Sequence, residues 1–407
     1  MTGADLPLLL TPVPGPRSRA WVDRLAEREC PAITARRARR ARVLGVSDTD
    51  PIVWAEALGS NVVDVDGNRF VDLTAGFGVA TVGHRDPAVV AAAQAQAGTL
   101  LHAMGDAFPD RSRIRLLERL CELTGMDRGL LGSSGSDAVE AALKTARMAT
   151  GRDGVLAFDG AYHGLSYGAL AATAYKADAF RAPFVGQLGH HVQHAPFGGE
   201  LPSLDGIGAV LVEPIQGRGG MREPPAGWLA ALREACDRSG AVLIFDEIYT
   251  GFGRTGSLFA FTEDARPDLL CIGKGMAGGF PISACMGTAA VMDSWGASRG
   301  EALHTQTFLG NPVGCAMALA CIDRILELLP HVVDLRGALE PLGTVRGRGF
   351  MLGLEVLDAL GVYRQLMEQG WIALPAGERA EVLALTPPLC ITQQQVDELV
   401  DTLWTMV

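Results

Sequence analysis

The sequence predicts an α/β protein with a large, mostly parallel central sheet flanked by helices and with a smaller α+β domain. Two observations carry this prediction. Between residues 132 and 290, short apolar runs bounded by Gly, Pro or Asp alternate with helical patterns, and such uniformly apolar runs are typical of parallel strands buried on both faces. After residue 329 the pattern changes to a few strand-like runs and one terminal helix.

The central region contains five predicted strands, which in chain order read GVLAF, GAVLVEP, AVLIFDE, LLCIG and SACMGTAA. Two predicted helices stand out between them. DAVEAALKTARMAT is followed by Gly151, where a glycine C-cap is expected, and GWLAALREACDRSG follows the second strand. No internal repeat and no Ser/Pro-rich linker divides this region. We therefore expect one large domain over residues 76–328.

The two ends of the chain are expected to form the smaller domain. Near the N-terminus, NVVDVDGNRFVDL predicts a hairpin that turns at Asp66 and Gly67. Near the C-terminus, GRGFMLGLEVL and VLALTPPLCIT look like strands, and TQQQVDELVDTLWTMV predicts a helix that opens with a capping box. We expect residues 1–75 to pack against the C-terminal domain, residues 329–407.

The charge balance argues against some classes of partner. The chain has 35 basic and 46 acidic residues and a net charge of -11, which disfavours nucleic acid or an anionic membrane surface as a partner. One segment, ARRARRAR, concentrates the arginines Arg36, Arg37, Arg39, Arg40 and Arg42. Its favoured interpretation is a solvated helix face, and an anion-binding patch is the alternative.

The eight cysteines include no CxxC pair, so the sequence suggests neither a zinc site nor a disulfide framework, and we expect no metal. Reduced thiols fit the cytoplasm. The first residues, MTGADLPLLLTPVPGP, lack the basic region and the longer apolar region of a signal peptide, and no later run is long enough to span a bilayer. We therefore expect a soluble, cytoplasmic protein.

Lysine is rare in this chain, which has only Lys144, Lys176 and Lys274. Lys274 lies between two glycines directly after the predicted strand LLCIG, so its amine can project from a strand end towards a bound group. A lysine in that position becomes a nucleophile when desolvation lowers its pKa. Taken alone, the GKG sequence is equally compatible with an exposed turn.

Three further side chains follow predicted strands. Asp246 comes directly after an apolar run, and a buried carboxylate needs a partner, which is either a helix N-terminus or a cationic ligand group such as a protonated ring nitrogen. Tyr162 and His163 follow the strand GVLAF. An aromatic ring there either stacks on a flat cofactor or fills space in the core.

A candidate phosphate site precedes the helix DAVEAALKTARMAT. Ser134, Gly135 and Ser136 stand where backbone N–H groups lack helical partners and where the helix dipole attracts an anion. The same residues also fit an ordinary serine N-cap. Together the four sites offer an anion cradle, an aromatic face, an acid and an amine, each near a strand end.

In their order along the chain, these sites resemble the class III, or omega, aminotransferases of the fold type I pyridoxal-phosphate enzymes. The resemblance runs from about residue 61 to the C-terminus. It rests on the blocks DGNRFVDLTAGFGVATVGHRDPAVVAA, SSGSDAVEAALKTAR, AYHG, VEPIQGRGG, IFDEIYTGFGRTG, DLLCIGKGMAGGFP, TFLGNPVGCAMALA and LTPPLCIT. It implies pyridoxal 5'-phosphate as the cofactor.

The resemblance implies roles for individual residues. Lys274 would bind the cofactor's aldehyde as a Schiff base, Asp246 would pair with the pyridinium nitrogen, and Glu213 would join them as a catalytic residue. The other expected cofactor contacts are Ser134, Gly135 and Ser136 at the phosphate, Tyr162 and Ile248 on the two ring faces, and His163. Thr307 would reach the phosphate in the neighbouring subunit, which implies a homodimer with active sites at the interface.

The expected substrate pocket departs from the family pattern. Leu165 and Ala384 stand at two positions where family members often carry an arginine, which makes glutamate and 2-oxoglutarate doubtful substrates because arginine is the usual partner of a carboxylate. Either Arg379 or Arg218 substitutes for these arginines, or both lie on the surface.

Three more residues are expected in this pocket: Phe77, Gln216 and Tyr249. Tyr249 replaces a glutamine that is frequent in the family, and its bulk reshapes the pocket. These departures favour an amine, or an amino acid whose amino group lies away from its carboxylate, as the amino donor.

The sequence therefore predicts an aminotransferase that moves an amino group from an amine or an omega-amino acid to an oxo acid by a ping-pong mechanism. The alternative is a pyridoxal-phosphate-dependent lyase, epimerase or decarboxylase on the same fold, because the cofactor permits each reaction. A third hypothesis is a cofactor-binding or scaffold protein without turnover. It is disfavoured because the amine, the acid and the anion cradle occur together.

Overall fold

The computed structural model describes residues 1–31, 33, 42, 51–297 and 300–407. The arginine-rich run at residues 35–42 lies outside these residues apart from Arg42, so both interpretations of it stay predictions. Within the described residues, no helix combines the length and the apolar character needed to cross a membrane.

Three antiparallel strands lie near the N-terminus. Helix α1 (Pro16–Ala26) precedes β1 (Trp54–Leu58), β2 (Asn61–Asp64) and β3 (Arg69–Asp72). Strands β2 and β3 pair with Val62 opposite Phe70, and the chain turns at Gly67, whose φ of 91° is in the range that favours glycine. The predicted hairpin is therefore confirmed.

A seven-stranded sheet forms the centre of the molecule. Its strands are β4 (Arg128–Gly132), β5 (Gly154–Phe158), β6 (Val192–Ala195), β7 (Ile207–Val212), β8 (Val242–Asp246), β9 (Leu269–Ile272) and β10 (Ser283–Gly287). They lie in the order β4-β10-β9-β8-β7-β5-β6, and all are parallel except β10. The five predicted apolar runs coincide with β5, β7, β8, β9 and β10, although β7 begins one residue before its predicted run, so the mostly parallel α/β class is confirmed.

Helices pack on both faces of this sheet. After β3, the helices that the structure describes are α2 (Ala75–Gly78), α3 (Pro87–Ala97), α4 (Arg111–Thr124), α5 (Gly135–Thr150), α6 (Tyr167–Ala172), α7 (Ala177–Phe180), α8 (Trp228–Ser239), α9 (Ala289–Met292), α10 (Pro312–Leu328), α11 (Leu335–Leu339), α12 (Ala359–Glu368) and α13 (Gln393–Trp404). Along β8, Val242 and Ile244 join the apolar cluster that includes α5, whereas Leu243 and Phe245 join the larger cluster. Successive strand residues point to opposite faces, so both faces are covered.

The C-terminal residues form a smaller antiparallel sheet in the order β11-β12-β15-β14. The strands after residue 340 are β11 (Val345–Arg348), β12 (Met351–Glu355), β13 (Trp371–Ile372), β14 (Leu374–Ala376) and β15 (Val382–Leu385). GRGFMLGLEVL, predicted as one strand, spans a hairpin, because Gly349 has a φ of 60° and breaks the run between β11 and β12. The predicted capping box at Thr392 and Gln395 is confirmed at the start of α13.

The two ends of the chain meet in the fold. Strand β13 pairs in parallel with β3, Trp371 lying opposite Val71. The side-chain amide of Gln395 donates to the carbonyl of Asp5 at 2.9 Å and accepts from the Ser60 hydroxyl at 2.8 Å. The N-terminal strands therefore pack with C-terminal residues, while the domain boundaries at residues 75 and 328 stay predictions.

Glu247 is a fully buried acid that follows β8. Its carboxylate accepts hydrogen bonds from the backbone N–H groups of Ala260 at 2.7 Å and Phe261 at 2.9 Å, and from the Thr250 hydroxyl at 3.0 Å. Burial raises its pKa from 4.5 to about 7, although these hydrogen bonds oppose the shift. The carboxylate ties the start of the loop after β8 to residues 260 and 261.

This raised pKa predicts a pH dependence of stability. The unfolded chain ionises Glu247 near pH 4.5 and the folded chain near pH 7, so its contribution is complete below pH 4.5 and is lost as the pH rises to 7. We expect Glu247→Gln to flatten this part of the profile of Tm against pH. The pH-dependent contribution that the substitution removes is at most about 3 kcal/mol of the free energy of unfolding. The exposed Glu234→Gln is the control, and equal slopes in Glu247→Gln and the wild type would contradict the prediction.

Candidate active site

A cavity of about 560 Å³ opens at the carboxyl ends of the central parallel strands. Open parallel sheets bind ligands at this edge. Thirteen of the residues singled out from the sequence line it: Phe77, Ser134, Gly135, Ser136, Tyr162, His163, Glu213, Arg218, Asp246, Ile248, Tyr249, Lys274 and Ala384. The fold thus brings together groups from both halves of the chain.

Lys274 begins a single 3-10 turn directly after β9. The glycine after it is needed because a Cβ on Gly275 would lie 2.6 Å from the Thr81 hydroxyl and 3.0 Å from Phe252 Cβ. The Lys274 amine lies 4.5 Å from the centre of the Tyr249 ring. Burial lowers its pKa, although Asp246 and Glu213 oppose the shift. A larger fraction of the amine is therefore neutral and nucleophilic than in an exposed lysine.

Asp246 is the last residue of β8 and is buried. One carboxylate oxygen lies 2.7 Å from His163 Nδ1, and the other accepts from the backbone N–H of Ile248 at 3.1 Å. Because an ionised carboxylate only accepts hydrogen bonds, the His163 Nδ1 carries the proton. His163 Nε2 is buried without a hydrogen-bond partner in the part of the chain that the structure describes. His163 thus contacts the acid and fixes its orientation.

Glu213 directly follows β7 and holds two loops together. Its carboxylate accepts from the backbone N–H of Tyr162 at 2.8 Å and from that of Gly217 at 3.3 Å. Burial raises its pKa to about 7, His163 opposes this shift, and Asp246 adds to it. The acid therefore sets the relative positions of the Tyr162 loop and the loop that starts at Gly217.

The N-terminus of α5 faces the same cavity. Ser134 is the N-cap, its hydroxyl accepts from Asp137 N at 3.2 Å, and its carbonyl accepts from the Ser283 hydroxyl at 2.6 Å. The first N–H groups of a helix have no intrahelical partner, and the helix dipole favours an anion there. The cradle is tight, because a Cβ on Gly135 would lie 2.7 Å from Ile248 Cδ1.

Phe77 reaches the cavity mouth from an unusual turn. Ala75, Gly76 and Phe77 all have positive φ, 46°, 56° and 66°, a region that non-glycine residues rarely adopt. The buried carboxylate of Asp72 stabilises the turn by accepting from the backbone N–H groups of Thr74 at 2.8 Å and Gly76 at 2.9 Å.

Comparison with known proteins identifies the family. The family model for class III aminotransferases matches residues 45–407. The chain is 37% identical over 370 residues to the acetylornithine aminotransferase of Methanosarcina acetivorans, covering 87% of this chain and 91% of that protein. It is 34% identical over 452 residues to the 4-aminobutyrate aminotransferase of Mycobacterium bovis, covering 97% and 96%.

The chain belongs to the class III aminotransferases. A solved amine transaminase from an uncultivated Pseudomonas species, crystallised with pyridoxal phosphate, is 29% identical with a TM-score of 0.78, covering 89% of this chain and 96% of that one. The fold is thus fold type I, and the protein is a pyridoxal-phosphate-dependent transaminase. The cavity fits this cofactor, since it combines a buried amine, a buried acid and a helix N-terminus against which a Cβ at residue 135 would clash.

Four residues expected in the site do not line the cavity of this aminotransferase. Gln216 is buried, and its side-chain amide donates to the carbonyl of Asp159 at 2.8 Å. Leu165, Thr307 and Arg379 are exposed. Their expected roles stay predictions, whereas Arg218, the other arginine considered as a carboxylate partner, does line the cavity.

Sequence reasoning placed Ala384 and Tyr249 in the pocket but missed the rest of the apolar wall that these two residues belong to. Met221, Met351, Ala376 and Ala384 form one buried cluster with Ile215, against which the Tyr249 ring packs. These side chains come from the loop after β7 and from three strands of the C-terminal sheet. No local motif could have linked them, because their contact depends on how that sheet packs against the large one.

Tyr249 is held firmly within this wall. A Cβ on Gly78 would lie 2.5 Å from its ring and one on Gly217 would lie 2.4 Å from it, so both glycines make room for the ring. The Thr386 hydroxyl donates a hydrogen bond to the carbonyl of Thr74, 3.2 Å away. The Tyr249 hydroxyl, 3.1 Å from Thr386 Oγ1, is therefore the donor in that hydrogen bond.

A fully buried arginine, Arg254, donates hydrogen bonds to the backbone at Thr386 and Pro387. The Arg254 guanidinium donates to the carbonyl of Thr386 at 3.1 Å and also to the carbonyls of Phe350 and Pro387. Burial lowers its pKa to about 10. It thus fixes the C-terminal segment that holds Tyr249.

Proposed function

We propose that this transaminase takes an amino group from an amine, or from an amino acid whose amino group lies away from its carboxylate, and passes it to an oxo acid. The observation that carries the proposal is the meeting of the Lys274 amine, the Asp246 carboxylate and the N-terminus of α5 in one cavity whose far side is apolar. The name of the Mycobacterium bovis relative supports this donor class, because 4-aminobutyrate carries its amino group at the far end from its carboxylate.

In this proposal Lys274 has two roles. Its amine, with a pKa lowered by burial, holds the cofactor at its aldehyde carbon. When a substrate amine takes its place, the freed amine would remove a proton from the substrate carbon and, as general acid, would deliver it to the carbon of the cofactor's former aldehyde group. Pyridoxal phosphate, when bound, supplies a ring that accepts electron density from that carbon.

Asp246 in this proposal keeps the ring nitrogen cationic. Its carboxylate is oriented by His163 on one oxygen and by the Ile248 N–H on the other. A charge-assisted hydrogen bond of this kind contributes roughly 1.5–3 kcal/mol. With the cofactor bound, the Asp246 carboxylate would favour protonation of the ring nitrogen, because its negative charge is buried away from water.

The remaining cofactor contacts position the ring. The N–H groups of Gly135 and Ser136 at the start of α5 would hold the phosphate. Tyr162 and Ile248 would hold the ring between them, which would keep the reacting carbon in a fixed position relative to Lys274. Glu213 is expected to act in catalysis through its hold on the Tyr162 loop.

We propose a homodimer in which Thr307 binds the phosphate in the partner subunit's site. Thr307 is exposed in the single chain, and exposed apolar side chains occur at Phe308, which follows it, and within residues 101–108 at Leu101, Met104 and Phe108. Phe308 is joined to this segment by its ring contact with His102 at 5.6 Å. Sedimentation of the wild-type protein as a monomer would contradict the proposal.

We also propose that the protein works in the cytoplasm. All eight cysteines are free thiols, which supports a reducing compartment.

A half-reaction assay tests the proposed function. Holoenzyme mixed with 4-aminobutyrate or with an arylalkylamine should lose the absorption of the pyridoxal form once, stoichiometrically, and should recover it only when an oxo acid is added. A lyase, epimerase or decarboxylase would instead turn over repeatedly without an oxo acid. Repeated turnover of a donor alone would therefore reject transamination as the main activity.

A further inference from the structure

Arg218 is a cation that faces the cavity without an ionic partner. It lies in the loop after β7, lines the cavity, and places its guanidinium carbon 4.2 Å from the centre of the Tyr162 ring. Among the residues that the structure describes, no carboxylate forms an ion pair with it. Burial is the main cause of the lowered pKa of Lys274, and the positive charge of Arg218 adds to it.

The acids around this loop are engaged elsewhere. Glu213 accepts two backbone N–H groups. Glu223 lies 3.7 Å from Arg348, and Glu381 pairs with Arg346 at 4.0 Å and accepts from the Arg379 N–H at 2.9 Å. The cation of Arg218 thus remains available to an anion that enters the cavity.

The loop that carries Arg218 is fixed in place. A Cβ on Gly217 would lie 2.4 Å from the Tyr249 ring and 2.9 Å from Met351 Cε, so the backbone there is pressed against the apolar wall. The carbonyl of Arg218 accepts from the Gly377 N–H at 3.0 Å. Because Glu213 binds both Gly217 and Tyr162, the guanidinium and the ring beneath it are held as one unit.

The surroundings of Arg218 are apolar. Met221 follows three residues later in the same loop, and it packs with Met351, Ala376 and Ala384 in one buried cluster. Apart from Arg218 itself, Lys274 is the one lysine or arginine among the described residues that line the cavity. A second carboxylate on the substrate would lose water against this wall without gaining a partner, which is strongly unfavourable.

Building on the proposed transamination, we propose that Arg218 binds the carboxylate of the substrate and that the apolar wall takes the rest of its chain. A guanidinium binds a carboxylate through two parallel hydrogen bonds, and its stacking on Tyr162 presets its plane. The enzyme therefore prefers oxo acids with one carboxylate and an apolar chain to dicarboxylic ones. Arg379, exposed and outside the cavity, has no part in this binding.

Three related acceptors that differ in the number of carboxylates test the inference. Butanal, 2-oxopentanoate and 2-oxoglutarate carry no, one and two carboxylates. Enzyme loaded with pyridoxamine phosphate is mixed with each, and kcat/KM is measured from the return of the pyridoxal form. We expect the wild type to prefer 2-oxopentanoate. Arg218→Gln should lower kcat/KM for 2-oxopentanoate by about 10- to 150-fold more than it lowers kcat/KM for butanal, which is the loss of one charge-assisted interaction with the carboxylate.

Arg222→Gln is the matched control, because Arg222 lies over the Phe197 ring at 5.7 Å and does not line the cavity. Arg218→Lys should recover only part of the loss, since it keeps the charge but not the paired hydrogen bonds. An equal fall for 2-oxopentanoate and butanal in Arg218→Gln, or a wild-type preference for 2-oxoglutarate, would overturn the inference.

A binding measurement separates this inference from the proposed function. Calorimetry with the unreactive pair pentanoate and pentanamide should show that the wild-type holoenzyme prefers pentanoate and that Arg218→Gln loses this preference. That result supports the carboxylate site even if none of the three acceptors reacts, in which case the proposed acceptor class fails. Equal binding of pentanoate by the wild type and Arg218→Gln rejects the site and leaves transamination intact.

Discussion

Replacing Lys274 by alanine should abolish transamination, with kcat lowered by at least about 10⁴-fold, because one side chain is proposed to supply both the covalent attachment and the proton transfer. The structure offers no substitute amine in the described part of the cavity, where Lys274 is the one lysine. The fold should survive, since alanine removes a buried cation and leaves the backbone turn at residues 274–276 unchanged.

The scarcity of lysine makes this experiment clean. Borohydride reduction of holoenzyme followed by peptide mass analysis should place the cofactor on the peptide that contains Lys274, and Lys274→Ala should show no labelled peptide. Lys176→Ala and Lys144→Ala are the controls. Lys176 lies over the Tyr175 ring at 5.2 Å, and Lys144 lies 3.2 Å from His304. Label on either of these lysines in the wild type would refute the assignment.

The strands that could be predicted are the interior ones. Strands β5, β7, β8, β9 and β10 have neighbours on both sides and are almost entirely buried, so their sequences are apolar without interruption. Strands β4 and β6 are the two edges and are partly exposed, so their mixed composition carries no such signal. The antiparallel direction of β10 was not predicted because composition does not record strand direction.

The residues of the candidate site also divide into those that the sequence predicts and those that only the structure identifies. Lys274, Asp246 and the serines before α5 each follow a strand, where a short motif marks the residue and the parallel topology brings the strand ends together. Met221, Met351 and Ala376 have no such motif, because their place in the wall depends on packing between distant segments. The proposed role of Arg218 also required the structure, because the sequence does not show that no acid among the described residues forms an ion pair with it.

Asp246→Asn should leave the cofactor bound and lower kcat for the donor half-reaction by about 10²- to 10⁴-fold, the range lost when proton transfer is no longer assisted. Asparagine fits the site because His163 Nε2 has no hydrogen-bond partner among the described residues. The histidine proton can therefore move to Nε2, and Nδ1 can accept from the new amide. The variant thus removes the negative charge with little change in shape.

The lower kcat of Asp246→Asn should come from slower breaking of the carbon–hydrogen bond at the reacting carbon of the donor. With a donor deuterated at the reacting carbon, the isotope effect on kcat should be larger in Asp246→Asn than in the wild type, because proton removal then limits the rate. A cofactor analogue methylated on the ring nitrogen is permanently cationic and should restore part of the activity of the variant, since it no longer needs the acid to stay charged. Asp153→Asn, a change at an exposed acid, should alter neither quantity. Near-normal turnover of Asp246→Asn, or a loss that the methylated analogue does not relieve, would mean that the carboxylate acts by positioning alone and that the charge at the end of β8 has no part in proton removal.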